Sequence, residues 1–311
     1  MTELAFVFPG QGSQHIGMLK DIIKKYSIAK ETFQEASYIL GYDLLKLINQ
    51  GPIEDLNDTC KTQPAILAAS IAIYRIWQQK GGSLPKLMAG HSLGEYSALV
   101  CADVIKFTDT VKLVEFRGKL MQQLVQKRKG AMKAIIGLDA ITIQRICKEN
   151  RKNQIVSIAN FNSPDQFVIA GDKKAVDRTS IACKLAGAKQ IIPLIITIPA
   201  HCLLMKSAAS KLAIKLKKIK FKIPSIPVIN NVDVQIEYDE NAIRNALIRQ
   251  MYSPVRWIEI IKLIAKKGIT KILEIGPSRV LSNLSKRIAD NLTYVAINNI
   301  DSLLIALEKN K

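Results

Sequence analysis

The chain has 311 residues, 45 Lys and Arg against 26 Asp and Glu, a formal charge of +19, and 48% hydrophobic and 23% charged residues. That is the composition of a soluble globular protein with room for one large domain and a smaller one. It excludes a membrane span, because the longest apolar tract, Ile191–Met205, is broken by Pro193, Pro199 and His201 and is too short to cross a bilayer. Five scattered cysteines form no C-x-x-C pair and read as reduced thiols of a cytoplasmic protein without a metal site. The N-terminus carries Glu3 and runs straight into a strand pattern, so it is not read as a signal peptide. The positive field should draw acidic partners. The lysine-rich stretch Lys211–Lys222 has few aromatics, and a solvated lysine face explains it as well as any specific site.

Leu4–Phe8 is an apolar run of the kind that forms a central parallel strand. The turn-rich loop Pro9-Gly10-Gln11-Gly12-Ser13-Gln14 follows. Its spacing fits neither the P-loop nor G-x-G-x-x-G, but a first strand-to-helix loop can offer a backbone N–H to an oxyanion. Helices are predicted at Met18–Tyr26, Ala29–Leu40, Asp43–Asn49 and Thr62–Gln79, with Pro64 in the first turn of the last. Gln63 reads as a solvated polar residue that could also face a site.

Leu87-Met88-Ala89 then ends a short buried strand, and a helical pattern begins at Leu93. Between them lies Gly90-His91-Ser92-Leu93-Gly94, the G-x-S-x-G pattern of a nucleophile elbow in the strand–turn–helix context that the motif requires. A sharp turn crowds its flanking positions, and the serine hydroxyl stands at a helix N-terminus that favours negative charge. In the next helix, Thr108–Gln126, Arg117 shares a stripe with Val114, Leu120 and Met121. Two readings stand: a snorkelling arginine, or one paired with a protein or substrate carboxylate.

From Gly130 the order is β-α-β-β-α-β: strands at Ala131–Leu138, Ile155–Ala159, Phe167–Ala170 and Lys189–Thr197, with helices Asp139–Asn150 and one capped by Asp172. This is the order of a ferredoxin-like unit, inserted at about residues 128–197 of a domain made from 1–127 and 198–311. Of three histidines, His15, His91 and His201, His201 sits where the chain re-enters the main body and is the preferred base for the serine. Strands at Val228–Asn230, Lys271–Ile275 and Tyr294–Ile297 and helices at Asn241–Gln250, from Ser253 to Lys267 and at Val280–Ala289 complete the reading. Asp233 and Glu274 are candidate orienters of the base, and a backbone carbonyl is an alternative.

Six ordered motifs span the chain: Phe8-Pro9-Gly10-Gln11-Gly12-Ser13-Gln14, Gly90-His91-Ser92-Leu93-Gly94-Glu95, Phe116-Arg117-Gly118, Ala159–Pro164, Gln250-x-x-Ser253-Pro254-Val255-Arg256-Trp257 and Glu274-Ile275-Gly276-Pro277. Together they resemble the bacterial malonyl-CoA:acyl carrier protein transacylases of type II fatty acid synthesis. The resemblance implies an α/β fold: an α/β-hydrolase-like core with a parallel sheet and an inserted ferredoxin-like α+β subdomain. It implies malonyl transfer through Ser92 as nucleophile, His201 as base and acid, and Gln250 orienting His201 through its carbonyl. Gln11 and Leu93 N–H groups would form the oxyanion hole, Arg117 would bind the malonyl carboxylate, and His91, Asn160 and Asn162 would line the pocket. The expected partners are malonyl-CoA and an acidic acyl carrier protein, with no cofactor, nucleic acid or membrane, and the chain a cytoplasmic monomer. The alternatives are a trans-acting polyketide acyltransferase, a serine hydrolase and a basic nucleic-acid-binding protein. The chain departs from the family at Cys202, where serine is common, and at Ser278-Arg279, where Gly-Lys is usual.

Overall fold

The computed structural model describes residues 3–194 and 198–310. Strand β1 (Leu4–Phe8) lies at the centre of a five-stranded sheet and is buried along its whole length. Its alternation divides the interior: Leu4, Phe6 and Phe8 enter the larger apolar core, Ala5 and Val7 a second core on the opposite face. Helices α1 (Lys20–Lys25), α2 (Ser27–Leu40), α3 (Leu44–Gln50) and α4 (Ile53–Asn57) follow, then the long α5 (Thr59–Gln79). Extended Tyr26 separates α1 from α2, and α4 was not anticipated from the sequence. Helix α5 starts three residues earlier than predicted, because the Asp58 carboxylate accepts the Cys60 N–H and caps it. Pro64 therefore falls in the second turn.

Strand β2 (Leu87–Gly90) leads through the elbow into α6 (Leu93–Cys101), followed by α7 (Phe107–Lys127). Next come β3 (Gly130–Ile136), α8 (Ala140–Asn150), β4 (Val156–Ser163), β5 (Gln166–Asp172), α9 (Lys173–Leu185) and β6 (Gln190–Pro193). These four strands form a separate antiparallel sheet in the order β4-β5-β3-β6, over a core of its own that holds Ile135, Ile143, Val156, Phe167 and Val176. Asp172 does not cap α9 as expected. Its carboxylate is taken by the Arg128 guanidinium and the Ile155 N–H. The predicted last strand is the four-residue β6, and its expected continuation over 195–197 lies outside the described residues.

A 3₁₀ turn at Leu203–Met205 leads into α10 (Lys206–Leu216), then β7 (Val228–Ile229), α11 (Glu240–Gln250), α12 (Trp257–Lys266), β8 (Lys271–Ile275), α13 (Val280–Ser285), β9 (Thr293–Ile297) and α14 (Ile300–Glu308). Helix α14, begun by an Asn299–Ser302 capping box, was also not anticipated. The large sheet is parallel throughout, in the order β7-β2-β1-β8-β9. The β1 and β2 strands pair Phe8 with Gly90, so the loop after β1 and the elbow after β2 leave the sheet side by side at its carboxyl edge, where ligands bind in open α/β sheets. No helix among the described residues is long and apolar enough to cross a membrane.

Candidate active site

The glycines of the elbow answer to contact. A Cβ on Gly90 would stand 1.9 Å from the Gly94 carbonyl carbon, and one on Gly94 would stand 2.0 Å from the Phe8 carbonyl oxygen. Only glycine lets β2 turn this tightly into α6 against β1. Ser92 itself holds φ 54° and ψ −107°, a strained conformation for a residue with a side chain, of the sort concentrated at functional sites. It lines a cleft of about 80 Å³ together with Gln11, Leu93, Arg117 and His201.

The hydrogen bonds define the proton positions. Ser92 Oγ lies 2.7 Å from His201 Nε2, and Arg117 donates to the same oxygen at 3.2 Å. His201 Nδ1 lies 2.8 Å from the Gln250 backbone carbonyl. A carbonyl only accepts, so Nδ1 carries the hydrogen; Arg117 only donates, so the serine hydroxyl gives its proton to Nε2. Burial and the Arg117 charge push the imidazole down from 6.5 to about 3, which leaves it neutral with an unprotonated Nε2 facing the hydroxyl. Asp233 and Glu274 take no part. Asp233 pairs with Arg249, and Glu274 accepts from the Leu281 and Ser282 N–H groups at the start of α13. The backbone carbonyl holds the histidine instead.

Arg117 is buried, at 1% exposure, so the snorkelling reading is excluded. Among the described residues it forms no ion pair. It donates to Gln63 Oε1 at 2.8 Å and Gln250 Oε1 at 3.0 Å, lies 5.4 Å from the centre of the Tyr96 ring, and has no partner for Nε. Burial pulls its pKa down, opposed by the neighbouring Tyr96 and Glu95. A buried guanidinium satisfied by neutral amide oxygens, beside a serine hydroxyl, can receive an anionic substituent next to the reacting carbon.

Leu93 opens α6, and the N–H groups of a first helical turn have no partner within the helix. Gln11 reaches the cleft because Gly10 runs against the elbow, where a Cβ would stand 2.5 Å from the His91 carbonyl oxygen. His91 and Asn160 line the cleft, whereas the Asn162 side chain meets His91 Nε2 at 2.9 Å and reaches the site only through that ring. Cys202 Sγ donates to the Pro199 carbonyl at 3.1 Å and is not among the residues lining the cleft. Among the described residues, no group of three His, Cys, Asp or Glu side chains is placed to hold a metal ion.

Residues 5–300 match the acyl transferase domain family. The chain is 56% identical to the malonyl CoA-acyl carrier protein transacylase of Escherichia coli K12, over 99% of this chain and 100% of that protein. It is 41% identical to the enzyme of the same name from Bacillus subtilis, over 100% and 98%. The chain belongs to the malonyl CoA-acyl carrier protein transacylase family. A solved transacylase of this kind, in complex with a type II PKS acyl-carrier protein, superposes with a TM-score of 0.98 at 58% identity, over 99% of this chain and 100% of that one. The acyl carrier protein S-malonyltransferase of Vibrio cholerae gives 0.95 at 54%, over 98% and 99%. The parallel sheet with its separate antiparallel sheet is the architecture of these solved transacylases.

The structure also brings forward residues to which sequence reasoning gave no role. Asn231 accepts the Ser92 N–H at 2.7 Å and donates to the Gly90 carbonyl at 2.6 Å, bridging the elbow. Glu95, 2% exposed, accepts from the Asn231 N–H and from Gln250 Nε2, each at 2.9 Å. Glu95 closes the elbow motif, three residues past the serine, which is the one local signal. Asn231 gave none.

Proposed function

We propose that this chain moves malonyl from coenzyme A to the phosphopantetheine thiol of an acyl carrier protein by a ping-pong route through malonyl-Ser92. The observation that carries it is the Ser92–His201 contact with a buried arginine, in no ion pair among the described residues, donating to the same oxygen. In the first half, His201 Nε2 takes the serine proton as Oγ bonds to the thioester carbon. The oxyanion of the tetrahedral adduct meets the Gln11 and Leu93 N–H groups, where one donor is worth about 3–4 kcal/mol. Collapse breaks the carbon–sulfur bond, and His201 returns the proton to the departing thiolate. In the second half the carrier thiol gives its proton to His201, its sulfur attacks the ester, and Ser92 leaves with the proton.

Arg117 holds the malonyl carboxylate; Gln250 positions His201; His91 and Asn160 border the acyl group, with Asn162 behind His91. Thioester exchange is nearly isoenergetic and runs on these protein groups without a cofactor. The proposal places the reaction on a cytoplasmic monomer, with residues 128–197 as a subdomain inserted between 1–127 and 198–311. The net charge of +19 is assigned to attracting an acidic carrier rather than nucleic acid or a membrane.

The test is discharge of isolated malonyl-enzyme. Carrier protein bearing phosphopantetheine should strip the malonyl group and gain it, while the form without the thiol should not. Release of free malonate at the same rate with or without carrier would make the protein a hydrolase instead. One solved relative is in complex with a type II PKS carrier, which favours a polyketide carrier as a second reading. The same experiment run with fatty-acid and polyketide carriers separates the two by rate.

A further inference from the structure

We infer that Glu95 is a positioning residue of the reaction, acting through the side-chain amide of Gln250. The inference rests on the Ser92–His201 reading above. Gln250 touches the base, the arginine and the serine backbone. Its backbone carbonyl holds His201, its Oε1 accepts from Arg117, and its Nε2 donates to the Ser92 carbonyl at 2.9 Å. That last bond, together with the Glu95 backbone N–H at 3.2 Å, holds the peptide that carries an oxyanion donor. The peptide joining Ser92 to Leu93 is trans, so its C=O and N–H point opposite ways. Pinning the Ser92 carbonyl fixes the direction in which the Leu93 N–H faces the cleft.

An amide side chain can be turned end for end at little steric expense, and Glu95 opposes that turn. Its carboxylate can accept but not donate when ionised, and its Oε2 draws Gln250 Nε2 at 2.9 Å. With Nε2 held there, Oε1 must face Arg117. The reverse orientation would set an NH₂ group against a guanidinium and an oxygen against two oxygens. The same Oε2 takes the Asn231 N–H, and Asn231 in turn holds the Ser92 N–H and the Gly90 carbonyl. One buried oxygen thus anchors both peptides that flank the Ser92 side chain. No substrate atom needs to touch it.

The test compares Glu95→Met, which fills the space without accepting hydrogen bonds, with Glu95→Gln, which keeps an accepting oxygen. Two single-turnover rates are read per folded active site: acylation of Ser92 by malonyl-CoA and by acetyl-CoA. A third readout is phosphonylation of Ser92 by an alkyl fluorophosphonate, which needs the serine, base and oxyanion donors but no carboxylate pocket. Glu95→Met should lower all three limiting rates about 30- to 100-fold, the scale of a displaced oxyanion donor, with half-saturation little changed. Glu95→Gln should stay within about threefold of wild type. Full rates in Glu95→Met, an equal fall in Glu95→Gln, or a loss confined to half-saturation would overturn the inference. A wild-type protein that takes the fluorophosphonate but no malonyl would refute the malonyl reading, while the phosphonylation rates still decide the role of Glu95.

Discussion

His201→Ala is expected to slow acylation of Ser92 by malonyl-CoA about 10³-fold, within the span attributed to a positioned general base. Among the described residues the hydroxyl has one contact able to take its proton, Nε2 at 2.7 Å, because the other neighbour, Arg117, is itself a donor. The pH dependence should carry the same mark. A histidine with an ordinary value near 6.5 would lose its basic form as pH falls through that value. Here burial and Arg117 hold the group down at about 3, so the acylation rate should not follow a titration at 6.5. Glu95, pushed up by burial to about 7, gains a proton over that range but keeps an oxygen able to accept. For stability, His201 and Glu95 act in opposite directions. Below 6.5 the unfolded chain binds a proton that folded His201 does not, which costs folding free energy on acidification. Folded Glu95 takes up a proton near 7 that the unfolded chain does not, which restores some of it. Stopped acylation followed by intact mass between pH 5 and 8 measures the rate effect. The difference in urea unfolding between wild type and His201→Ala over the same range isolates the His201 contribution, which should shrink as pH falls below 6.5. A rate loss under tenfold in His201→Ala would place the base elsewhere, with His91 the other histidine lining the cleft.

Arg117→Ala is expected to lower kcat/KM for malonyl-CoA by roughly 10²–10³ while leaving acetyl-CoA within a few fold. Truncating one partner of a buried, hydrogen-bonded charge pair costs about 2–5 kcal/mol. The magnitude follows because Gln63 and Gln250 give Arg117 amide oxygens and no negative charge. A substrate carboxylate supplies the missing charge in the bidentate geometry that guanidinium favours. Arg117→Lys keeps the charge but not the fork, and should fall between wild type and alanine. Competition between the two acyl-CoA substrates in one tube reads the ratio directly. An equal loss for malonyl and acetyl would mean that Arg117 serves Ser92 Oγ rather than the acyl group.

The parts of this site that local chemistry dictates were legible before the fold was known. The elbow glycines, the serine and the arginine on an apolar stripe each carry their reason within a few residues. Local chemistry did not reach the supports: Asn231 lies 139 residues from the serine it holds, and Gln250, which only the family resemblance named, lies 158 residues from the same residue. No periodicity links such positions until the parallel sheet brings the strand ends together. Gln63 was ambiguous for the same reason: its burial depends on α5 packing beside α7. Asp233 and Glu274 stand in no recognisable triad context in the sequence and were candidates only as acidic residues downstream of the base; in space each meets a nearer partner, Arg249 or the first turn of α13. Asp172 failed as a cap because Arg128 and the Ile155 N–H compete for the same carboxylate.

The most direct measurement is intact-protein mass after brief mixing with malonyl-CoA, for wild type and Ser92→Ala. Wild type should gain one malonyl group, mapped to the Ser92 peptide and discharged by carrier protein, and Ser92→Ala should gain none. An adduct that persists in Ser92→Ala, or a wild type that forms none, would contradict malonyl transfer through this serine.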